Sequence, residues 1–287
     1  MNLSDYTTVR AVLSRHGFKF SKSLGQNFLI DPTVCPRMAE ECGTDLQTGV
    51  LEVGPGVGVL TAELAKRSAK VVSVELDRSL LPVLGETLAD YRNVKIVTGD
   101  VLKLDLAALL REKFAGMNVV VCANLPYYIT SPVIMRFLEE RLPISSLTVM
   151  VQKEAAERFC AEPGSRSCGA VSAAVRYYAE PEILFNVPRA CFYPQPNVDS
   201  AVMKLRVLPE PSVTVESSEA FFSLVRAAFG QRRKTVLNSI SAGLSLPKER
   251  VTHALEAASV PPTARAEQLT LRELAALSDA LVKKEEV

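Results

Sequence analysis

Residues 49–61 read GVLEVGPGVGVLT, an apolar run that passes directly into a glycine-rich turn. The first five residues have the length and composition of a strand buried on both faces. Gly54, Gly56 and Gly58 follow, and glycine lets the backbone turn sharply and lets a ligand approach it closely. After the turn, LTAELAKR (60–67) spaces its apolar residues as a helix does. A strand, a glycine turn and a helix in this order indicate one unit of an α/β sheet.

The same alternation continues along the chain, with further apolar strand patterns at KVVSVE (70–75), VKIVT (94–98), NVVVCA (118–123) and SLTVMV (146–151). Helical patterns separate them, which predicts a doubly wound, mostly parallel α/β sheet of the Rossmann-like type. After residue 180, PEILFNV (181–187) and SAVMKLRVL (200–208) are strand-like with little helix between them. We therefore expect the sheet to finish with antiparallel strands.

The last part of the sequence has a different pattern. LPEPSVTVESSE (208–219) is rich in Pro, Ser and Glu and is typical of a linker. Helical patterns follow it, each ended by Gly, Pro or the chain end, at residues 218–230, 232–243, 247–259 and 270–284. The sequence therefore predicts an α/β domain over residues 1–208 and a small all-helical domain over residues 209–287.

Composition excludes some classes of protein. The chain has 33 Lys and Arg against 32 Asp and Glu, so binding of a nucleic acid must depend on local clusters of charge. The 6 cysteines form no C-x-x-C pair and there are only 2 histidines, which predicts no metal site. Scattered cysteines without a signal peptide favour the cytoplasm, and no apolar run is long enough to span a membrane.

Two acidic residues end successive predicted strands. The Glu75 carboxylate can accept both hydroxyls of a ribose, and the Asp100 carboxylate can accept from an adenine amino group. Either acid alone is equally compatible with a helix cap or a solvated loop. Together with the glycine turn they favour a cofactor that carries a nucleoside. The spacing E-x-G-x-G-x-G (52–58) resembles the loop of S-adenosylmethionine-dependent methyltransferases more than the G-x-G-x-x-G of a dinucleotide dehydrogenase, which remains the alternative.

The fourth strand pattern ends in ANLPYY (123–128). Asn124 supplies a side-chain carbonyl, and Pro126 keeps Leu125 extended and lacks an N–H of its own. Two acceptors suit an exocyclic amino group, and Tyr127 can stack on a planar base. Hydrogen bonds from adenine N6 to Asn124 Oδ1 and the Leu125 carbonyl would favour a tetrahedral, more nucleophilic nitrogen. The alternative is that Asn124 caps the next helix and the tyrosines only pack.

At this point the sequence resembles the ribosomal RNA adenine N6,N6-dimethyltransferases, with the bacterial small-subunit (16S) members as the best match. The motifs that carry the resemblance are KSLGQNFLID (22–31), LEVGPGVGVLT (51–61), VELD (74–77), GDVLKLDL (99–106), ANLPYYITSPV (123–133), VQKEAAERF (151–159), CFYPQPNVDSAV (191–202) and FGQRRKTVLNSI (229–240). Eight motifs in one order make a chance match very improbable.

The resemblance implies a role for each matching residue. S-adenosylmethionine would contact Asn27, Leu29, Gly54, Gly56, Glu75, Asp100 and Asn124. The adenine would lie in a site made of Asn124, Leu125, Pro126, Tyr127 and, as a second aromatic wall, Phe192. Residues 1–208 would be the methyltransferase domain, with the basic segment 1–30 closing over the site, and residues 209–287 would bind ribosomal RNA.

The implied reaction is the transfer of methyl groups to N6 of two adjacent adenines in the 3′-terminal hairpin loop of 16S rRNA, within the immature small subunit. The products would be N6,N6-dimethyladenosine and S-adenosylhomocysteine. The expected phosphate contacts are Arg232, Arg233 and Lys234 and, less strongly indicated, Arg10, Arg15, Lys19 and Lys22. Such clusters are otherwise ordinary solvated surface.

Three other functions remain open. The related large-subunit methyltransferases of the macrolide-resistance type share GQNF and N-x-P-Y, although FGQRRKTVLNSI and PQPNVDSAV favour the small-subunit enzyme. An adenine-N6 DNA methyltransferase would need a larger recognition region than the residues after 208. A mainly non-catalytic assembly factor of the small subunit is the third. A cytoplasmic monomer is expected.

Overall fold

The computed structural model describes residues 1–21 and 24–282, and their contacts divide the chain into two units. The first unit comprises Met1–Ala156 and Glu182–Val207, and the second comprises Glu157–Pro181 and the chain from Leu208 onward. By its contacts the segment Glu157–Pro181 groups with the chain from Leu208 onward, although its last three residues begin a strand of the sheet (Ala179–Val187).

The first unit is built on a seven-stranded sheet with the order β4-β3-β2-β5-β6-β9-β7. The strands are β2 (Gly49–Val53), β3 (Lys70–Glu75), β4 (Val94–Thr98), β5 (Val119–Asn124), β6 (Ser146–Gln152), β7 (Ala179–Val187) and β9 (Ser200–Val207). Strands β2 to β6 are parallel and β9 runs antiparallel to β6, so the predicted fold class is confirmed. Two short strands, β1 (Phe28–Leu29) and β8 (Phe192–Tyr193), form a separate antiparallel pair.

The strand order has a consequence for ligand binding. Strand β3 lies on one side of β2 and β5 lies on the other, so the direction of winding reverses between β2 and β5. Open α/β sheets bind ligands in the crevice at the carboxyl ends of the strands that flank such a reversal. The residues that follow these two strands are the glycine turn and Asn-Leu-Pro-Tyr.

Helices cover the sheet where the sequence alternates with strands. They are α1 (Tyr6–Arg15), α2 (Val34–Glu41), α3 (Val59–Ala65), α4 (Leu81–Thr87), α5 (Leu106–Lys113), α6 (Thr130–Glu139) and α7 (Lys153–Phe159). All five residues of β2 are buried, as expected for a central strand covered on both faces, and they include the carboxylate of Glu52. Asp5 caps α1 by accepting from the Thr8 backbone N–H at 2.7 Å, and Asp105 caps α5 from Ala108 at 2.8 Å. Within the described residues no helix is long and apolar enough to cross a membrane.

The second unit is helical, with α8 (Ala170–Tyr178), α9 (Ser218–Phe229), α10 (Val236–Leu244), α11 (Lys248–Ala257) and α12 (Leu271–Val282) around an apolar core. The predicted linker lacks regular secondary structure up to Ser217, but its backbone is hydrogen-bonded to α8. Its Leu208 and Ser212 N–H groups donate to the Tyr178 and Tyr177 carbonyls at 2.9 and 3.0 Å. Helix α10 begins four residues later than predicted, because Thr235 is its N-cap.

Candidate active site

The glycine turn after β2 uses backbone conformations that only glycine adopts without strain. Gly54, Gly56 and Gly58 have φ angles of +70°, +58° and +90°. A Cβ on Gly56 would lie 3.1 Å from Phe28 Cδ1, and one on Gly58 would lie 3.0 Å from Leu88 Cδ2. A Cβ on Gly54 would meet no atom within 4 Å. Gly54 therefore keeps space open beside the turn, whereas the other two glycines are also required by close packing.

That space is part of a cavity at the carboxyl edge of the sheet. Its walls come from segment 24–29, the glycine turn, the ends of β3, β4 and β5, and β8. The structure brings together in this cavity every residue predicted to contact the cofactor or the adenine: Asn27, Leu29, Gly54, Gly56, Glu75, Asp100, Asn124, Leu125, Pro126, Tyr127 and Phe192. The roles of the individual residues remain predictions, but their convergence on one site is observed.

Glu75 places a buried carboxylate at the cavity wall. Only 6% of the residue is exposed, and burial raises the pKa of this carboxyl group above its usual value. Backbone N–H groups of Asp77 and Gly56 oppose that shift, and the Asp77 N–H lies 2.7 Å from Oε1. Glu75 is thus hydrogen-bonded to the glycine turn, which holds the carboxylate and the turn in one arrangement.

Asp100 has a more local set of contacts. Its Oδ1 accepts from the Leu102 N–H at 2.9 Å, and its Oδ2 lies 3.6 Å from Lys103 Nζ. The side chain is part-exposed and lines the cavity. Asp100 therefore caps the turn after β4, in agreement with the alternative interpretation of a capping residue. Its Oδ2 is placed where a ligand amino group can reach it.

Asn124 presents its side-chain oxygen to the cavity because its nitrogen is directed elsewhere. Its Nδ2 donates to the Asn27 backbone carbonyl in a long hydrogen bond of 3.5 Å. Asn27 in turn donates from its own Nδ2 to the Gly25 carbonyl at 3.1 Å. With the amide orientation set in this way, Oδ1 of Asn124 is the group left to accept from a ligand. Asn124 ends β5 and does not cap α6, which has Ile129 at its N-cap position.

The next three residues shape the rest of this wall. The Leu125 N–H donates to the Met150 carbonyl at 3.1 Å, and Pro126 has no N–H, so neither residue offers a competing donor. The Tyr127 hydroxyl lies 2.8 Å from Ser200 Oγ, which fixes the half-buried ring. Burial is also the main reason that the pKa of the Tyr127 hydroxyl is raised. Phe192, on β8, is buried and faces the same cavity.

Glu52, beneath the glycine turn, is the first residue of the E-x-G-x-G-x-G motif, but the sequence assigned it no contact of its own. It is 1% exposed, and its Oε2 accepts from Thr61 Oγ1 at 2.7 Å and from Ser73 Oγ at 2.5 Å. Its Oε1 is buried without a hydrogen-bond partner, and burial raises the pKa of the carboxyl group to about 7. Glu52 thus links β2 to β3 through Ser73 and to α3 through Thr61, below the cavity.

Two apolar cavity residues were also missed. Leu76, directly after Glu75, is 48% exposed although it is a large aliphatic side chain, and Phe28 is buried beside Gly56. An exposed leucine at the edge of a sheet indicates a ligand-binding site. The sequence alone could not indicate it, because the exposure of Leu76 becomes known only from the structure.

The predicted phosphate contacts fall into two groups. Arg10 and Lys19 are exposed in the first unit, whereas Arg15 forms an ion pair with Glu86, to which His16 also bonds at 2.7 Å. Lys22 lies outside the described residues. Arg232, Arg233 and Lys234 are all exposed in the turn before α10, and Arg232 donates to the Arg166 carbonyl at 3.1 Å. We call these last three residues the basic triplet.

Within residues 1–21 and 24–282, no group of three or more His, Cys, Asp or Glu is placed to hold a metal ion. The cavity does fit a nucleoside cofactor. The turn at Gly54 leaves space that a Cβ would fill, and the Glu75 carboxylate faces the same space.

Comparison with known proteins agrees with this geometry. The family model described as ribosomal RNA adenine dimethylase matches residues 17–283. "Ribosomal RNA small subunit methyltransferase A" of Alkaliphilus metalliredigens (strain QYMF) is 50% identical over 279 residues, 96% of each chain. The protein of the same name from Geobacillus thermodenitrificans (strain NG80-2) is 49% identical and covers 95% of this chain and 94% of its own.

Two solved structures are also similar to this chain over most of its length. The 23S rRNA methyltransferase ErmE is 29% identical with a TM-score of 0.69, covering 89% of this chain and 100% of its own. A dimethyladenosine transferase from Plasmodium falciparum, 24% identical with a TM-score of 0.71, covers 87% of this chain and 95% of its own and shares the fold. Because the family model and these relatives span nearly the whole sequence, the chain belongs to the ribosomal RNA adenine dimethylase family.

Proposed function

We propose that the chain transfers methyl groups from S-adenosylmethionine to N6 of two adjacent adenines in the 3′-terminal hairpin loop of 16S rRNA, giving N6,N6-dimethyladenosine in the immature small subunit. The observation that carries the proposal is the pairing of Asn124 Oδ1, oriented by Asn27, with the ring of Tyr127 in the cavity that also holds the glycine turn.

The cofactor half of the cavity would be formed by the glycine turn and the acids beside it. Glu75 would accept the ribose hydroxyls, Asp100 the adenine amino group, and Gly54 would let the cofactor lie against the backbone. Asn27 and Leu29 would close the site from segment 24–29. S-adenosylmethionine supplies an electrophilic methyl group when bound.

The substrate half would act on an adenine flipped out of the RNA. Tyr127 would stack on one face of the base and Phe192 would bound the other. The N6 amino group would donate to Asn124 Oδ1 and to the Leu125 carbonyl, which draws the lone pair out of conjugation with the ring. Positioning and these fixed dipoles supply the catalysis, since the dipoles favour the charge that develops on N6 during attack.

The proton on N6 needs no strong base, because it becomes acidic only after the methyl group has been transferred. The residues that line the cavity include neither histidine of the chain. His16 is bonded to Glu86, and His253 lies on α11 in the second unit. Loss of the proton to water at the mouth of the cavity is therefore sufficient.

The identity of the relatives supports a small-subunit substrate. Identities of 46–50% connect the chain with proteins named for the small subunit, against 29% for the 23S rRNA methyltransferase ErmE. A large-subunit substrate is accordingly the second candidate. The immature 16S particle, a monomeric state and a cytoplasmic location remain predictions.

The test is to incubate the protein with labelled S-adenosylmethionine and, separately, small subunits that lack the modification, large subunits and duplex DNA. We expect label on N6 of two adjacent adenines in the small-subunit RNA alone. Label in large-subunit RNA would favour the second candidate. Tight binding to small subunits without any label would instead identify an assembly factor.

A further inference from the structure

Three aromatic rings form a cluster next to Phe28 of the cavity wall, which we call the aromatic ledge: Tyr6, Phe20 and Tyr193. Tyr193 contacts Tyr6 edge to face with ring centroids 4.7 Å apart, and it contacts Phe20 at 5.6 Å. The rings come from α1, from the segment after it and from β8, so only the fold brings them together. No role in cofactor or adenine binding has been assigned to any of them.

Two of the three rings of the ledge are exposed to solvent, and Tyr193 is partly exposed. Tyr6 and Phe20 are each 37% exposed, although both pack against other rings. An exposed cluster of rigid rings offers a large contact area at a low cost in side-chain entropy, and such clusters mark interaction sites.

The ledge is continuous with the cavity. Phe20 packs on Phe28 with ring centroids 5.4 Å apart, and Phe28 lines the cavity. Tyr193 pairs with Phe28 across the β1–β8 strands, so Phe28 lies between the cavity and the ledge. A ligand that extends out of the cavity past Phe28 therefore reaches the ledge next.

The charge beside the ledge is positive. Tyr6 and Arg10 lie four residues apart on one face of α1, and Lys19 precedes Phe20; Arg10 and Lys19 are exposed. The pKa of the Tyr193 hydroxyl is raised, chiefly by its hydrogen bond with Tyr6, and the charge of Arg10 opposes this shift. Arg10 thus lies one helical turn from Tyr6 and contributes positive charge beside the ledge. Rings interleaved with cations are the pattern of single-stranded nucleic acid sites, where bases stack and phosphates pair with Arg and Lys.

We propose that the aromatic ledge stacks the unpaired base of the nucleotide adjacent to the adenine in the cavity, while Arg10 and Lys19 contact its phosphates. This inference rests on the proposed function, since it requires an RNA with two neighbouring unstacked bases. The ledge would assist the modification of two adjacent adenines. When one adenine occupies the cavity, its neighbour is held on the rings and kept out of the RNA stack.

The test uses an RNA hairpin in which one of the two adjacent adenines is replaced by 2-aminopurine. This analogue carries its amino group on C2 and none on C6, so the intact adenine takes the cavity and the probe takes the ledge. The protein has no tryptophan, so 2-aminopurine fluorescence is read without background. We expect the full-length protein to quench the probe, and Tyr6→Leu with Phe20→Leu to remove most of the quenching and weaken RNA binding about tenfold, within the range for one stacked base.

Matched variants separate stacking from general disruption. Tyr6→Phe keeps the ring, so it should retain the quenching that the double variant loses. Leu46→Ala changes a side chain that is 77% exposed in the loop before β2, away from the carboxyl edge, and should do the same. Affinity for S-adenosylhomocysteine should be unchanged in all four proteins, and the KM for unmodified small subunits should rise in the double variant with little change in kcat.

The proposal is overturned if the wild type leaves the probe unquenched, or if the double variant quenches it fully. It is equally overturned if the double variant loses S-adenosylhomocysteine affinity in the same proportion as RNA affinity, since the rings would then be structural. Failure of the wild type to methylate small subunits is a different result, which would remove the proposed function itself.

Discussion

Asn124 differs from an ordinary strand-ending asparagine in how its amide group is used. The nitrogen is engaged by Asn27, so the oxygen is left for a ligand, and the adjacent Leu125 and Pro126 add no competing donor. A turn or a helix cap would not require this arrangement.

Replacing Asn124 by Ala should therefore abolish methyl transfer by removing one of the two acceptors for N6. We expect kcat to fall by a factor of at least about one hundred, which is typical of a lost transition-state hydrogen bond. Small-subunit binding should stay close to that of the wild type. Equal loss of binding and activity would show that Asn124 is structural.

Glu52 gives a prediction about pH. Its pKa in the folded protein is raised to about 7 by burial, so the folded state holds a proton that the unfolded state releases near its ordinary value of 4.5. The contribution of Glu52 to stability is complete at pH values below 4.5 and is lost as the pH rises through about 7. The total is on the order of 3 kcal/mol at most.

Glu52→Gln removes this titration but keeps an oxygen for Thr61 and Ser73. The free energy of unfolding of the variant, relative to the wild type, should therefore increase between pH 5 and pH 8. Urea denaturation at several pH values measures the difference. A difference that does not change with pH would contradict the buried, protonated state of Glu52.

At the scale of elements, glycines inside helices have opposite roles in the two units. A Cβ on Gly243 of α10 would lie 2.6 Å from Ala227 Cβ and 2.9 Å from its Cα, so α9 and α10 pack through this position. Gly85 in α4 is exposed and has no atom within 4 Å of the same point.

Gly243→Ala should accordingly destabilise the protein by about 1–3 kcal/mol, because a backbone contact must move. Gly85→Ala should stabilise it by about 0.5–1 kcal/mol through helix propensity. Denaturation midpoints of both variants, measured beside the wild type, check the pair. Destabilisation by both would mean that helix α4 does not tolerate a side chain there.

The elements predicted best were those with strong local signals. Strands β2, β3 and β4 have the predicted ends, because short runs rich in Val and Ile are followed by a glycine turn or a polar residue. The start of α10 was missed, because Arg232 to Lys234 continue a helical pattern that the Thr235 cap interrupts. Strands β1 and β8 have only two residues each and depend on pairing between distant segments, so no periodicity predicts them.

The residues of the candidate site could likewise be predicted where the local sequence signal was strong. Glu75, Asp100 and Asn124 could be predicted because each ends a strand of a parallel sheet, and such ends share one edge. The bonds of Glu52, the exposure of Leu76 and the aromatic ledge depend on side chains that only tertiary structure brings together. For the same reason, residues 157–181 could not be assigned to the helical unit from sequence.

For the whole molecule, we expect the two units to supply different parts of the proposed function. The cavity belongs to the first unit and the basic triplet to the second. Exchanging Arg232, Arg233 and Lys234 for Ala should weaken binding to ribosomal RNA and lower the slope of log affinity against log salt by up to about three.

Affinity for S-adenosylhomocysteine should stay unchanged in this triple variant. Lys248→Ala, which removes one exposed cation from the same unit, serves as the control. Salt titrations of RNA binding provide the measurement. An unaltered slope would mean that the basic triplet is ordinary solvated surface.

The proposed pairing of adenine N6 with two acceptors, Asn124 Oδ1 and the Leu125 carbonyl, has one more consequence. An unmodified adenine brings two N–H groups to these acceptors, the monomethylated base brings one, and the dimethylated base brings none. Each transfer therefore leaves one more acceptor unpaired, at a cost of about 1–3 kcal/mol when it is buried. In the proposed site the two acceptors therefore bind the base less tightly after each methyl transfer, which favours its release after the second.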